Sequence, residues 1–122
     1  MKLRIKGNSI RLRVTQKELE QIKSEGIYEE KTVFPNGAVF TYSLVVDETK
    51  EPTAEFDGKQ LKVKIPSDKA KEWLNNEKEV GIYSDRDVAL KIVVEKDFRC
   101  LVPRGEDDSD AFPHPKEGIE SC

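Results

Sequence analysis

The sequence is poor in residues on which many enzymes and secreted proteins depend. Its 122 residues include two cysteines, one histidine and one tryptophan. Two cysteines make no disulfide framework, which predicts a protein of the reducing cytoplasm. No stretch supplies the roughly 20 apolar residues of a membrane span, and charges stand where a signal peptide would carry its apolar segment. We therefore expect a cytoplasmic protein with neither an export signal nor a membrane segment.

The body of the chain also lacks the usual catalytic side chains. Residues 1–96 contain no histidine and no cysteine, and we find neither a Gly-rich phosphate loop nor a nucleophile elbow. Because catalysis needs convergent titratable groups, the sequence favours a non-enzymatic binding protein without catalytic residues, cofactor or metal. Two alternatives stay open: a small enzyme acting on a phosphorylated substrate, and a protein that docks onto a partner through a sheet edge. Both a monomer and a homodimer are compatible with the sequence.

Charge is distributed unevenly, although the totals nearly cancel. The 21 Lys and Arg and the 24 Asp and Glu give a net charge of −3. Residues 1–96 hold 18 bases and 17 acids, whereas residues 97–122 hold three bases and seven acids. That last segment also contains prolines and glycines without helical or strand periodicity. We predict one domain over residues 1–96, followed by an acidic, Pro-containing tail over residues 97–122.

Alternating apolar and polar residues predict the strands of the first half. A turn at Gly7-Asn8 joins the first two strands, and Asn36-Gly37, which tolerates positive φ angles, joins the next two. Between these hairpins, Thr15 and Glu18 match a helix capping box. The predicted elements are strands over 2–6 and 10–14, a helix over 16–25, and strands over 27–34 and 38–47.

The second half repeats this order. Ser67 is the expected N-cap of its helix, and Ala70, Trp73 and Leu74 form the apolar face of that helix. The predicted strands cover residues 53–56, 61–65, 80–83 and 88–95. At an offset of 51 residues the turns and helices of the two halves align, and at 48 residues Leu44 aligns with Ile92. This pattern indicates an internal duplication.

The fold class that follows is α+β. Two ββαββ-like units, over about residues 1–48 and 52–96, would form one mostly antiparallel sheet or an open barrel with two helices. One helix is too little to cover a four-stranded sheet, so we expect the units to share a core.

Basic residues alternate along the strands of both units, and residues two apart in a strand share one face. The candidate ligand-binding set is Lys2, Arg4, Lys6, Arg11, Arg13, Lys62 and Lys64. Seven cations on one sheet face would hold an anionic small molecule, an anionic protein or the acidic tail of the chain itself. A solvated sheet face is the plainer interpretation. No aromatic residue interleaves with the basic run, which argues against nucleic acid.

Two further interpretations of the charged residues are weaker. A barrel that encloses a triphosphate would need acids for a divalent metal near the start, but the first acid is Glu18 on the predicted helix. The tail contains residue types that bind transition metals, although their spacing matches no metal motif. Those residues are Cys100, Asp107, Asp108, Asp110, His114 and Cys122. We also consider a tail that folds back onto the body, with Phe98, Leu101 and Phe112 as apolar anchors.

Three strings of the sequence carry a resemblance to known proteins. They are the opening MKLRIKGNSIRLRVTQ, EKDFRCL from residue 95, and SDAFPHP from residue 109. Together they resemble a family of small bacterial proteins of unknown function. The resemblance spans nearly the whole chain and implies a free-standing cytosolic protein whose tail belongs to the family pattern. It implies no activity, cofactor or catalytic residue.

Overall fold

The computed structural model of the protein describes residues 1–85, 87–98 and 112. Within these residues, eight strands and two helices follow in the predicted order, and the α+β class with two ββαββ units is confirmed. The elements are β1 (Lys2–Lys6), β2 (Ser9–Val14), α1 (Gln16–Glu25), β3 (Ile27–Val33), β4 (Val39–Asp47), β5 (Thr53–Phe56), β6 (Gln60–Pro66), α2 (Ser67–Asn75), β7 (Gly81–Tyr83) and β8 (Lys91–Lys96).

The described strands form two open four-stranded sheets instead of the single sheet or open barrel expected from the sequence. Sheet A has the order β1-β2-β8-β7, and sheet B has the order β3-β4-β6-β5. The central pair of each sheet is parallel, and the outer pairs are antiparallel. Two sheets arise because a helix separates the two hairpins of each unit, and each hairpin pairs with a hairpin of the other unit.

Strand register shows which residues are equivalent in the two halves. Leu12 pairs with Val94, and Val63, which lies 51 residues after Leu12, pairs with Leu44. Leu44 and Val94 therefore occupy equivalent positions, 50 residues apart. The alignment of Leu44 with Ile92 made from the sequence is therefore displaced by two residues. The alternating pattern could not reveal this error, because a shift of two keeps every side chain on the same face of a strand.

The two helices begin differently. Helix α1 has the predicted capping box: the Glu18 N–H donates to Thr15 Oγ1 (3.4 Å), and the Thr15 N–H donates to Glu18 Oε1 (2.8 Å). Helix α2 has Pro66 at its N-cap and no side-chain cap. The expected Ser67 cap is wrong, because Ser67 is already the first helical residue and its hydroxyl donates to Glu48 (3.2 Å). Neither described helix is long and apolar enough to cross a membrane.

One apolar core joins the two sheets and both helices, in agreement with the predicted shared core. Ile22 of α1 and Trp73 of α2, 51 residues apart, are each only 1% exposed. The Trp73 indole N–H donates to the Val80 carbonyl (3.1 Å), which satisfies its polar group. The other nearly inaccessible core residues are Leu12, Val14, Leu44, Val63, Ile65, Ala70, Ile92 and Val94. Because β2 and β6 alternate between buried and partly exposed residues, their intervening side chains lie on the outer faces of the sheets.

Candidate functional site

The outer face of sheet A carries cations on three neighbouring strands. The alternation of β2 turns Arg11 and Arg13 outward. The register of β1 places Arg4 opposite Arg11 and Lys2 opposite Arg13. Lys91, the partner of Ser9 on β8, adds a cation that the sequence interpretation did not include. We call this surface the basic face, and its cations are Lys2, Arg4, Lys6, Arg11, Arg13 and Lys91.

Two acids accompany these six cations on the described part of the basic face. Glu95 Oε1 lies 3.2 Å from Arg13 Nε and 3.5 Å from Arg11 Nε. Asp97, directly after β8, lies 3.0 Å from Lys2 Nζ. These two carboxylates contact three of the six cations, Lys2, Arg11 and Arg13.

The pairing of β1 with β2 works against the stability of this hairpin. Arg4 lies directly opposite Arg11, and Lys2 lies directly opposite Arg13. Like charges at directly opposed positions destabilise a sheet by roughly 0.2–1 kcal/mol for each pair. Glu95, next to Arg11 and Arg13, and Asp97, next to Lys2, offset part of this repulsion.

Lys62 and Lys64 do not join the basic face, because they lie on β6 in sheet B. Lys62 is opposite Glu55, and Lys64 Nζ lies 2.9 Å from Glu55 and 3.8 Å from Asp47. The hydrogen bond to Glu55 raises the pKa of Lys64 above its ordinary value. Of the seven cations predicted as one site, the structure groups five on sheet A and separates these two on sheet B.

A cluster that the sequence interpretation missed lies on the inner side of sheet B. The amino group of Met1, whose side chain is buried, donates to Glu18 and to Glu30 Oε1 (2.6 Å). Tyr28 donates its hydroxyl to Glu30 Oε1 (2.9 Å). The Tyr42 hydroxyl lies 2.6 Å from Glu30 Oε2 and 3.1 Å from the Met1 carbonyl. We call these five residues the amine cluster.

Hydrogen bonds within the amine cluster displace the pKa values of its members. Burial alone would raise the pKa of Glu30, but hydrogen bonds from the Met1 amine and both tyrosines lower it to about 2. Burial alone would also lower the pKa of the Met1 amine, but the bonds to Glu18 and Glu30 raise it. Burial and the bond to Glu30 raise the pKa of Tyr42 to about 12. The cluster is therefore most stable with a charged Met1 amine and an ionised Glu30.

The amine cluster satisfies its own polar groups. Glu30 uses one oxygen for the amine and Tyr28, and the other for Tyr42. Glu18 divides its oxygens between the Thr15 N–H and the amine. Because each carboxylate oxygen already has a partner, the arrangement has the character of a structural network. Its sequence signal is the placement of polar residues at inner positions of β3 and β4.

The sequence as a whole matches the model of a family described as a family of unknown function, DUF7009, over residues 1–116. The chain belongs to this family. No curated protein and no solved structure matches it. The resemblance to a small family of unknown function is thereby confirmed, and the bacterial origin stays a prediction.

The remaining candidates of this DUF7009 protein lie in or near its acidic tail. In the described part of the chain, no three His, Cys, Asp or Glu side chains form a group that could hold a metal ion. Phe98 and Phe112, two of the expected anchors, are 51% and 97% exposed. The proposed metal-binding tail residues and the third anchor lie outside the described residues; they are Cys100, Leu101, Asp107, Asp108, Asp110, His114 and Cys122.

Proposed function

We propose that this protein is a non-enzymatic binding protein whose basic face holds an anionic ligand. The observation that carries the proposal is the direct opposition of Arg4 to Arg11 and of Lys2 to Arg13. Like charges at such positions repel one another, and an anionic group next to them reduces that repulsion, as the Glu95 carboxylate does beside Arg11 and Arg13. The cytoplasmic location predicted from the sequence is part of the same proposal.

The spacing of the basic face defines the chemistry of the ligand. Neighbouring strands lie about 4.8 Å apart, and alternate residues of one strand lie about 7 Å apart. A ligand with several anionic groups at about these separations contacts cations on β1, β2 and β8 together. Arginine binds phosphate and carboxylate through two parallel hydrogen bonds, so Arg4, Arg11 and Arg13 suit a ligand with several phosphate groups.

The amine cluster supports a binding role over a catalytic one. It contains the pronounced pKa shifts of Tyr28, Glu30 and Tyr42. Strongly shifted groups are common in active sites but also occur in structural ion-pair networks. Here the shifted groups bind one another and the Met1 amine, an arrangement that needs no substrate.

Titration of the full chain with inorganic tripolyphosphate at low ionic strength tests the proposal. Isothermal calorimetry should detect binding that weakens as salt is added, because the contacts are charged. A double variant, Arg4→Gln with Arg11→Gln, should bind about tenfold more weakly. The matched control is Lys62→Gln with Lys64→Gln, which removes two cations from sheet B and should leave binding unchanged. Absence of binding by the native chain, or equal loss in both variants, contradicts the proposal.

The acidic tail of the chain is the second candidate ligand that we propose for the basic face. Its first residue, Asp97, already contacts Lys2 at 3.0 Å. Neutralising the full-length tail with Asp107→Asn, Asp108→Asn and Asp110→Asn tests this competition. Tighter tripolyphosphate binding in that variant would mean that the tail binds the basic face of the native chain. Unchanged binding would mean that the basic face binds external ligands only.

A further inference from the structure

Strand β3 forms an open edge of sheet B. The order β3-β4-β6-β5 leaves one side of β3 without a neighbouring strand among the described elements. With seven residues it is the longest of the four edge strands; β1, β5 and β7 have five, four and three. Long, flat edges are the ones that pair with other chains, because their backbone N–H and C=O groups lack partners.

The ladder between β3 and β4 shows which backbone groups face the open side. The Phe34 N–H donates to the Ala38 carbonyl (2.8 Å), and the Val46 N–H donates to the Gly26 carbonyl (2.9 Å). Even-numbered residues of this segment thus bond toward β4, and antiparallel ladders alternate. The odd-numbered residues therefore direct their N–H and C=O groups outward, and these are Ile27, Glu29, Lys31 and Val33.

The same four residues are complementary to themselves in an antiparallel pairing centred on Glu30. In that register Glu29 lies opposite Lys31 of the second copy, and Ile27 lies opposite Val33. A shift of two residues in either direction would place Glu29 opposite Glu29 or Lys31 opposite Lys31. Ile27 and Val33 are 36% and 70% exposed, so apolar surface is available at both ends. We propose that two copies of this chain pair through β3 and form one continuous eight-stranded sheet.

The amine cluster compensates the one like-charged contact of this pairing. On the inner face, Glu30 meets Glu30 of the second copy at the two-fold axis. Each of these carboxylates is already bound to the Met1 amine and to the hydroxyls of Tyr28 and Tyr42. An ammonium group next to each carboxylate offsets the repulsion between them.

The corresponding edge of sheet A is unsuited to self-pairing. Its edge strand β1 has Lys2, Arg4 and Lys6 on one face, opposite Arg13, Arg11 and Ser9 of β2. Any antiparallel self-pairing of β1 that keeps the faces aligned sets one of these cations opposite another. Such charged edges resist association, so β1 is a protected edge, whereas β3 is self-complementary.

Sedimentation velocity of the full chain over a concentration series tests the pairing. The native chain should form a dimer, and Glu29→Lys or Lys31→Glu alone should raise its dissociation constant about tenfold, because each places two like-charged pairs across the interface. The combined Glu29→Lys and Lys31→Glu variant should recover the native constant, since the two charges are exchanged. Lys59→Glu, in the β5–β6 turn, is the control for charge alone.

Hydrogen exchange gives a second measurement on the same samples. The amide groups of Ile27, Glu29, Lys31 and Val33 should become more protected as protein concentration rises. A native chain that stays monomeric at every soluble concentration overturns the proposal. A dimer that neither single variant weakens also overturns it, because its interface then lies elsewhere. The result does not depend on the basic face, which lies on the other sheet.

Discussion

The two halves of the molecule have chemically different residues at one equivalent position. Strands β1 and β5 are related by an offset of 51 residues, so Met1 and Pro52 are equivalent. Met1 carries a charged amine, whereas Pro52 is a buried mid-chain residue without an N–H. Around Met1 the first half places Tyr28 and Tyr42. Strand register shows that the equivalent residues of the second half are Ile82 and Ile92, which are 4% and 2% exposed.

This difference explains the polar residues of the amine cluster. A desolvated ammonium is unfavourable unless carboxylates and hydrogen bonds compensate it, and Glu18 and Glu30 supply that compensation. The second half has no charge at Pro52, so apolar side chains can fill the equivalent space. The polar inner residues of the first half therefore compensate the charge of the Met1 amine. For this reason the basic face, and not the amine cluster, is the candidate for ligand binding.

The largest expected effect comes from removing the main partner of the amine. Glu30→Ala leaves the Met1 amine and two tyrosine hydroxyls with fewer partners, and it should destabilise the protein by about 2–3 kcal/mol. Urea unfolding followed by circular dichroism measures the loss. Glu20→Ala, at an exposed position of α1, should change stability by less than about 0.5 kcal/mol. A similar loss in both variants contradicts the role assigned to Glu30.

The pH dependence of stability should show the charged state of the cluster. The folded-state pKa of Glu30 is lowered from 4.5 to about 2, so its contribution is complete above the unfolded value and is lost as pH falls through the folded one. The pKa of the Met1 amine is raised from 8.0, so its contribution is complete below that value and is lost at higher pH. Stability should therefore be highest between about pH 5 and 8.

Unfolding free energies measured across this range test both limbs of the profile. Glu30→Gln cannot ionise, so it should flatten the acid limb while leaving the fold intact. One residue added before Met1 moves the amine away from Glu18 and Glu30, and should remove its contribution to the alkaline limb. An acid limb that persists unchanged in Glu30→Gln would assign it to other carboxylates.

Caps and turns could be predicted from the sequence because the residues that form them lie within a few positions of one another along the chain. Thr15 and Glu18 lie three residues apart and form the predicted capping box. The turn at Asn36-Gly37 lies where predicted, and Gly37 has the positive φ of 88° that such a turn requires.

Long-range features escaped prediction for physical reasons. Alternation assigns Lys62 to an outer face, but it does not say which hairpins share a sheet, so the exchange of hairpins between units separated Lys62 from Arg11. The amine cluster escaped because Glu30 and Tyr42 resemble ordinary solvent-facing strand residues. Only the position of Met1 beside them makes their inward orientation favourable.

The smallest expected effect compares the starts of the two helices. Thr15→Ala removes the acceptor of the Glu18 N–H in α1, and should cost about 1 kcal/mol. Ser67→Ala in α2 removes a hydroxyl that bonds only the exposed Glu48 side chain among the described residues, and should cost less than about 0.5 kcal/mol. Thermal unfolding of both variants measures the difference. Equal losses would show that Ser67 acts as a cap despite its position, and that the two helices begin alike.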